Sequence, residues 1–344
     1  CFFLEYTDSE KTPSRYSIIS YRAEEIIKIK NYELTRISND NIIEKKIITD
    51  PFEEIRRLLH IKKAPKFSNL PFFQGGGVGF ITFDSIKYIE KMPIKKNNDI
   101  DIPEIFFIFS DTFLLFDNIN GRLKVISNIN LNGSETAKSL NKKFKNTKKI
   151  IAGAISNILS AENNTIYRKN KIKKLEYLAN YTSEEFSNVL KKARDFIIDG
   201  EVFQLTLSHQ FFTSFKINPF NIYRALRFIN PANYMFYLRF NTTYIIGSSI
   251  GTYINKNENS AEIKTLTGSR KMSDDYFENL SSENALLSDI NELSRHAMLV
   301  DTAINDLGKV CSTGKVKLRE KMILKKYFNT ISLYSSANGV LKEN

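Results

Sequence analysis

The second half of the chain alternates amphipathic helices with short strands, and this alternation most restricts the folds open to it. Apolar residues with helical spacing predict three helices, which begin near Thr182, Asn218 and Asp289. Between them, β-rich runs predict strands at 202–208, 234–238 and 244–247. Helices that alternate with strand pairs predict a mixed α/β or α+β fold.

The first 126 residues have a different pattern, with short β-rich runs separated by turn signals. Phe106–Phe109 and Phe113–Phe116 are two such runs, and Asn120-Gly121 is a typical turn. Residues 127–180 are rich in Lys and Asn, with a helix predicted around 150–159. The sequence therefore predicts three regions: an N-terminal region at 1–126, a connecting segment at 127–180, and a more regular region at 181–344.

The composition is that of a globular protein with a sizeable core. The chain has 344 residues, of which 42% are hydrophobic and 26% charged. No apolar run reaches the roughly 18 residues of a membrane span, which predicts no membrane partner. Cys1 and Cys311 are the two cysteines, too few for a disulfide framework, and a cytoplasmic location is expected. Because the first residue is Cys, the chain is expected to begin part-way through a longer product.

The net charge of +12 raises the possibility of nucleic-acid binding. The lysines are scattered through a chain that is also crowded with Asn and Ile, which is typical of a general compositional bias. The densest run, Lys142–Lys149, contains one aromatic residue and no repeated stacking pattern. A solvated connecting segment is the favoured interpretation, and no nucleic-acid partner is predicted.

The helix that begins at Asp289 combines an apolar stripe with residues able to bind metals or move protons. This helix is predicted to end at Gly308. His296 lies between the stripe and the polar face, so a hydrogen-bonded core histidine is favoured over a ligand or catalytic group. Arg295 stands among the polar residues His296, Asp301, Asn305 and Asp306.

Two glycine-containing segments could bind anions. Gly75–Gly79 lacks the Gly-Lys-Ser/Thr of a phosphate loop and runs on into a strand, so glycine for a turn or close backbone packing is favoured. Gly268-Ser269-Arg270 follows a strand-like run and can present N–H groups, a hydroxyl and a guanidinium to a carboxylate. On these residues alone, an ordinary turn is the favoured interpretation there.

Read together, eight segments in the same order resemble anthranilate synthase component I and its relatives among the chorismate-utilising enzymes. They are LEYTDSEKTPSRYSII near the start, GGGVGFITFDSIKYIEKMP at 75–93, SDTFLLFD at 110–117, DGEVFQLTLSHQF at 199–211, NPANYMFYL at 230–238, YIIGSS at 244–249, TLTGSR at 265–270 and ELSRHAMLVDTAINDLGKVCSTGKVKL at 292–318.

The resemblance implies a four-layer αββα fold of the α+β class, with two orthogonally packed sheets. It implies a Mg²⁺-dependent lyase reaction, in which ammonia from a glutamine amidotransferase subunit adds to chorismate and pyruvate is eliminated to leave anthranilate. Gly268 and Ser269 match the pair that binds chorismate. Asn233, Tyr234 and Met235 match the segment that contacts the feedback inhibitor tryptophan. Aminodeoxychorismate synthases place a nucleophilic lysine ahead of the Gly-Thr pair, where this chain has Thr267.

Several positions depart from the family pattern. The magnesium-binding glutamate is replaced by Arg295, which makes metal binding doubtful, and the catalytic histidine is replaced by Ser332. Further departures are Tyr6, Ile304 and Ile250-Gly251. The chain stops at Asn344, before the family's C-terminal section. Together these differences predict a truncated, inactive anthranilate synthase component I. The alternatives are a non-catalytic amidotransferase partner or tryptophan-binding remnant, and a sister chorismate enzyme of the aminodeoxychorismate synthase type.

Overall fold

The computed structural model describes residues 1–6, 15–61, 64–67, 70, 73–92, 101–131, 133–161, 175–249, 253–327 and 329–343. The chain divides into two compact units. The larger unit joins residues 1–161 to residues 222–344, and the smaller one comprises residues 162–221. The division into three regions stays a prediction. The departure from the family pattern at 250–251 lies outside the described residues.

The helices of the described residues are α1 (Pro51–Ile61), α2 (Ala137–Leu159), α3 (Ser183–Ile198), α4 (Pro219–Ile229), α5 (Tyr276–Ser288) and α6 (Ile290–Val310), with a 3₁₀ helix at Phe83–Tyr88. None of them is long and apolar enough to cross a membrane. α6 passes through Gly308, so the predicted end at that glycine is wrong. The Cys311 N–H donates to the Leu307 carbonyl, which continues the helical hydrogen bonds beyond it.

The strands of the described residues are β1 (Phe2–Tyr6), β2 (Tyr16–Ser20), β3 (Glu25–Lys30), β4 (Glu33–Ser38), β5 (Asn41–Ile47), β6 (Gly77–Ile81), β7 (Ile105–Phe109), β8 (Thr112–Asp117), β9 (Arg122–Ser127), β10 (Leu178–Ala179), β11 (Phe211–Phe212), β12 (Tyr234–Phe240), β13 (Thr243–Ser249), β14 (Ile254–Asn257), β15 (Ser260–Lys271), β16 (Cys311–Tyr327) and β17 (Thr330–Leu341).

In the larger unit, the described strands form three antiparallel sheets. One has six strands in the order β13-β12-β1-β2-β8-β9, another has five in the order β5-β4-β3-β7-β6, and the third has four in the order β14-β15-β17-β16. In the first sheet, β1 from the chain's start pairs with β12 from its middle, Phe2 lying opposite Leu238. Separate antiparallel sheets with added helices confirm the predicted α+β class.

The smaller unit contains α3 and the short pair β10–β11. α3 begins with a capping box, in which the Thr182 hydroxyl and the Glu185 carboxylate each accept the other residue's backbone N–H. The strand predicted at 202–208 is wrong. The side chain of Phe203 is 88% exposed, and no strand of the described residues pairs with this run, so its β-rich composition is not matched by a partner.

The glycine cluster serves close backbone packing. At Gly79 in β6, a Cβ atom would lie 1.8 Å from the carbonyl oxygen of Phe106 in the neighbouring strand β7. At Gly77 it would lie 3.0 Å from the Phe109 ring. Both phenylalanines are buried in the core. The interpretation as a packing glycine is therefore confirmed over that of a phosphate loop.

α6 packs on the four-stranded sheet through a small apolar core and one buried polar residue. Ala303 and Leu307 of the helix contact Ala261, Ile263 and Ala337 of the sheet. At the other end of the contact, His296 is 0% exposed, and its Nδ1 lies 2.7 Å from Thr267 Oγ1 while its Nε2 lies 2.7 Å from Ser335 Oγ. The core-histidine interpretation is confirmed.

His296 is held in its neutral form. Burial lowers the pKa of its imidazole, and the adjacent Arg295 charge lowers the pKa further. A neutral imidazole has one N–H donor and one acceptor, which suits two hydroxyl partners because a hydroxyl can take either role. Ser335 Oγ also accepts the backbone N–H of Met322 at 2.8 Å, so the network links α6 to β15, β17 and β16.

Gly79→Ala is expected to lower the free energy of unfolding by at least about 2 kcal/mol, because the new methyl group would meet a backbone carbonyl that cannot rotate away. Gly153→Ala is the matched control. Gly153 lies in α2 with no atom near its missing Cβ, so alanine should raise stability by up to about 1 kcal/mol. Urea unfolding of both variants checks this, and equal effects would contradict the packing role.

His296 should make stability fall with acidification. Its contribution is fully present above the unfolded-state pKa of about 6.5 and is lost as the pH falls below it, because the unfolded chain then binds a proton that the folded chain excludes. The His296→Gln variant should therefore lose less stability than the wild type between pH 7.5 and about 5.5. Ser281→Ala, at an exposed position of α5 and without a change of ionisable group, is the control and should keep the wild-type pH dependence. Parallel curves for wild type and His296→Gln would refute the assignment.

Candidate functional site

The candidate site lies at an irregularity in β15. The pairing of β15 with β17 shifts register between Thr267 and Arg270, which leaves Gly268 and Ser269 in a bulge. At this point Ser269 Oγ lies 2.8 Å from Ser332 Oγ of β17. The structure thus brings together the pair that the resemblance assigns to chorismate and the position at which it expects a catalytic histidine, although they are 63 residues apart in sequence.

Gly268 requires glycine for two separate reasons. Its φ of +63° lies in the left-handed region, and a Cβ atom would lie 2.5 Å from Leu286 Cδ1 and 3.2 Å from Glu292 Oε2. The second distance also locates the Glu292 carboxylate, which lies directly beside the bulge. α5 and the start of α6 therefore form the wall on this side of Gly268.

Two arginines border the bulge, and each contacts a carboxylate at the start of α6. Arg295 donates to Glu292 Oε2, three residues earlier on the same helix. Arg270 Nη2 lies 3.5 Å from Asp289, whose carboxylate also caps α6 by accepting the N–H groups of Asn291 and Glu292. Both guanidinium groups remain about half exposed, so they line a surface that a solute can reach.

The residues present do not fit a divalent cation at position 295. A guanidinium bound to Glu292 stands where the resemblance implies a carboxylate ligand. At about 4 Å and an effective dielectric constant of about 20, a unit charge interacts with a dication by about 8 kcal/mol before solvation, and here that interaction is repulsive. Among the described residues, no group of three or more His, Cys, Asp or Glu side chains is arranged to hold a metal ion.

The remaining polar residues of α6 do not extend the site. Asn305 Nδ2 lies 3.3 Å from Asp301 Oδ2, and Lys309 donates to Asp306 at 2.9 Å. These contacts run along the exposed surface of the helix, one or more turns after Arg295. They are typical of i,i+3 and i,i+4 pairs that add a few tenths of a kcal/mol to a helix.

A second cluster surrounds the segment that the resemblance assigns to tryptophan. Tyr234 and Met235 of β12 lie directly opposite Tyr6 and Glu5 of β1. Met235 is 1% exposed and Tyr234 is 37% exposed, so the tyrosine is the residue of this pair that a ligand can reach. Asn233 lies half-buried just before β12.

Glu5 is the buried centre of this second cluster. Its carboxylate accepts hydrogen bonds from the Tyr223 hydroxyl at 2.5 Å, from Arg227 Nε at 2.7 Å and from Ser17 Oγ at 3.1 Å. Burial, and then the hydrogen bond to Glu5, raise the pKa of the Tyr223 phenol well above its usual range. The phenol is therefore a permanent donor near neutral pH.

Sequence reasoning missed Tyr223 and Arg227 as members of this cluster. The available signal was their spacing of four residues in α4, which places a tyrosine and an arginine on one face of a short helix. It missed Glu292 for a related reason: the sequence pairs Glu292 with Arg295, but it does not show that Gly268 lies against the carboxylate.

Comparison with known proteins identifies relatives of the whole chain. A family model described as chorismate binding enzyme matches residues 5–344. Anthranilate synthase component 1 of Acetivibrio thermocellus is 30% identical over 354 residues, which cover all of this chain and 69% of that protein. The Aquifex aeolicus protein of the same name is 33% identical over 300 residues, which cover 86% of this chain and 59% of that protein. The chain thus spans between 59% and 69% of the length of these two relatives.

The fold has a counterpart among solved structures. The crystal structure of anthranilate synthase component I from Streptococcus pneumoniae TIGR4 matches with a TM-score of 0.79, over 98% of this chain and 71% of that one. At 24% sequence identity this likeness shows the fold. The family model, which covers nearly every residue, and the 30% identity to a relative go further: the chain belongs to the family of chorismate binding enzymes, alongside anthranilate synthase component I.

Proposed function

We propose that the chain is an anthranilate synthase component I-type protein of tryptophan biosynthesis that binds chorismate at Gly268 and Ser269 and does not convert it to anthranilate. The observation that carries the proposal is the 2.8 Å contact between the Ser269 and Ser332 hydroxyls. It supports a site of the family's layout in which a serine occupies the position of the proton-transferring histidine.

Binding and catalysis make different demands on this site. Chorismate is a dianion, and the hydroxyls and backbone N–H groups of a bulge, with arginines nearby, suit its carboxylates. The lyase reaction also needs a group that transfers protons near neutral pH. The Ser332 hydroxyl does not ionise in that range, and His296 has both ring nitrogens engaged inside the fold. Binding is therefore expected to survive where turnover does not.

The proposed partner is a glutamine amidotransferase subunit. The relatives carry the name component 1, which implies a second component for those proteins. In this chain the partner would supply ammonia to a site that no longer uses it, so we propose that the association remains, together with chorismate binding, although turnover is lost. A protein of this kind would act in tryptophan biosynthesis by binding its partner subunit and not by catalysis.

The chain with chorismate, Mg²⁺ and excess ammonia should form no anthranilate above a boiled control, measured by anthranilate fluorescence. The Acetivibrio thermocellus relative in the same assay shows that the conditions support the reaction. Turnover by the present chain would contradict the loss of catalysis that Ser332 and Arg295 predict.

Chorismate binding should be detected by calorimetry and should depend on the bulge. Ser269→Ala removes one hydrogen bond to a charged ligand and should weaken binding about tenfold. Ser281→Ala, at an exposed position of α5, is the control and should leave the affinity unchanged. If both substitutions weaken binding equally, or if neither weakens it, the ligand binds elsewhere.

A second candidate function is tryptophan binding by a non-catalytic module. It is favoured by the pairing of Tyr234 and Met235 with Tyr6 and Glu5, which sets the segment that the resemblance assigns to tryptophan beside the buried Glu5. Calorimetry with tryptophan should then give a signal that Tyr234→Ala weakens at least about tenfold, as expected for an aromatic contact at a binding site. Tyr276→Ala, an exposed tyrosine of α5, is the control. Absence of any heat with tryptophan would remove this candidate.

A further inference from the structure

Four charged side chains among the described residues form two ion pairs beside the bulge, and their formal charges cancel. They are Arg270, Asp289, Glu292 and Arg295. If a carboxylate stood at position 295, the same four positions would carry a net charge of −2, which attracts a divalent cation. The arginine therefore changes the preference of the site and does more than remove one ligand, because the field that would concentrate a dication is absent.

Arg295 is placed to contact an anion at the bulge. Its Nη2 donates to Glu292 Oε2, and that oxygen lies 3.2 Å from the position of a Cβ on Gly268. The guanidinium is therefore separated from the bulge by one carboxylate group. It carries five N–H donors in a fixed fork, so a second carboxylate can be bound in a bidentate way beside the Glu292 contact.

Exposure and the neighbouring groups agree with this role. The Arg295 side chain is 45% exposed and that of Glu292 is 21% exposed, so the guanidinium can be reached from solvent. Ser269 is exposed as well, with its hydroxyl at the same bulge. A hydroxyl, a backbone turn with positive φ and a guanidinium form a set of donors suited to a carboxylate.

We propose that this site binds the carboxylate of its ligand directly on Arg295 and Ser269, with no requirement for a divalent metal. The inference rests on the proposed function, since it takes chorismate as the ligand, and it adds the residue that determines the site's charge preference. Arg295 replaces a metal-mediated contact by a direct ion pair between guanidinium and carboxylate.

The test is calorimetry of chorismate binding in EDTA and, separately, in excess Mg²⁺. We expect the wild-type affinity to agree within about twofold between the two buffers. Arg295→Gln should weaken binding about tenfold or more in both, and Arg295→Lys by an intermediate factor, because lysine keeps the charge and loses the fork. Arg319→Gln, at an exposed position of β16, is the matched control and should leave the affinity unchanged.

Arg295→Glu provides a second measurement that does not depend on chorismate. The wild type should show no Mn²⁺ binding in a titration with the metal alone, and Arg295→Glu should acquire it, because the four positions would then carry the charge of −2. Circular dichroism of each variant confirms that the fold is retained. Mn²⁺ binding by the wild type, or its absence in folded Arg295→Glu, would overturn the proposed charge preference.

The outcomes separate the inference from the proposed function. Chorismate binding that appears only with Mg²⁺, or that is unchanged in Arg295→Gln, overturns the inference and leaves the chorismate site in place. Absence of chorismate binding in both buffers removes the proposed function, and the carboxylate contact on Arg295 with it.

Discussion

The buried contact of His296 with Thr267 and Ser335 is the interaction on which the candidate site depends. It joins α6 to two neighbouring strands of the four-stranded sheet at the level of the bulge, where the apolar core formed by Ala303 and Leu307 no longer reaches. Because Thr267 immediately precedes Gly268, this contact fixes where the bulge begins. Because His296 follows Arg295, it also fixes where the guanidinium leaves the helix. A neutral imidazole achieves this without placing a charge in the core.

Much of this arrangement follows from the sequence, and the rest depends on contacts between distant residues. The periodicity of α6 predicted a helix and a core histidine, and both are present. The strand predicted at 202–208 failed because local composition was not matched by a pairing partner. The role of Glu292 could not be predicted, because spacing along one helix gives no information about a glycine 24 residues earlier. The Ser269–Ser332 contact depends on the register of β15 against β17, which no local pattern determines.

The two clusters of the larger unit handle charge in opposite ways. Glu5 is enclosed and its carboxylate is satisfied by a phenol, a guanidinium and a hydroxyl, so the first strand is held to α4 by a buried polar centre. At the bulge, by contrast, the charged groups are partly exposed and balanced in pairs. Such pairs contribute little to stability, so substitutions there can alter ligand preference with a small effect on the fold. Because of this difference, a change of charge at position 295 is expected to leave the surrounding architecture intact.

The position of β1 between β2 and β12 has a consequence for how the protein is made. β1 can pair with β2 as soon as β2 has left the ribosome, but the other edge of β1 pairs with a strand more than two hundred residues later, as Phe2 opposite Leu238 shows. Contacts between residues so far apart in the sequence are slow to form. Until β12 arrives, the unpaired edge of β1 and the Glu5 carboxylate remain open to other chains. We therefore expect the nascent polypeptide to bind a chaperone before β12 has been synthesised.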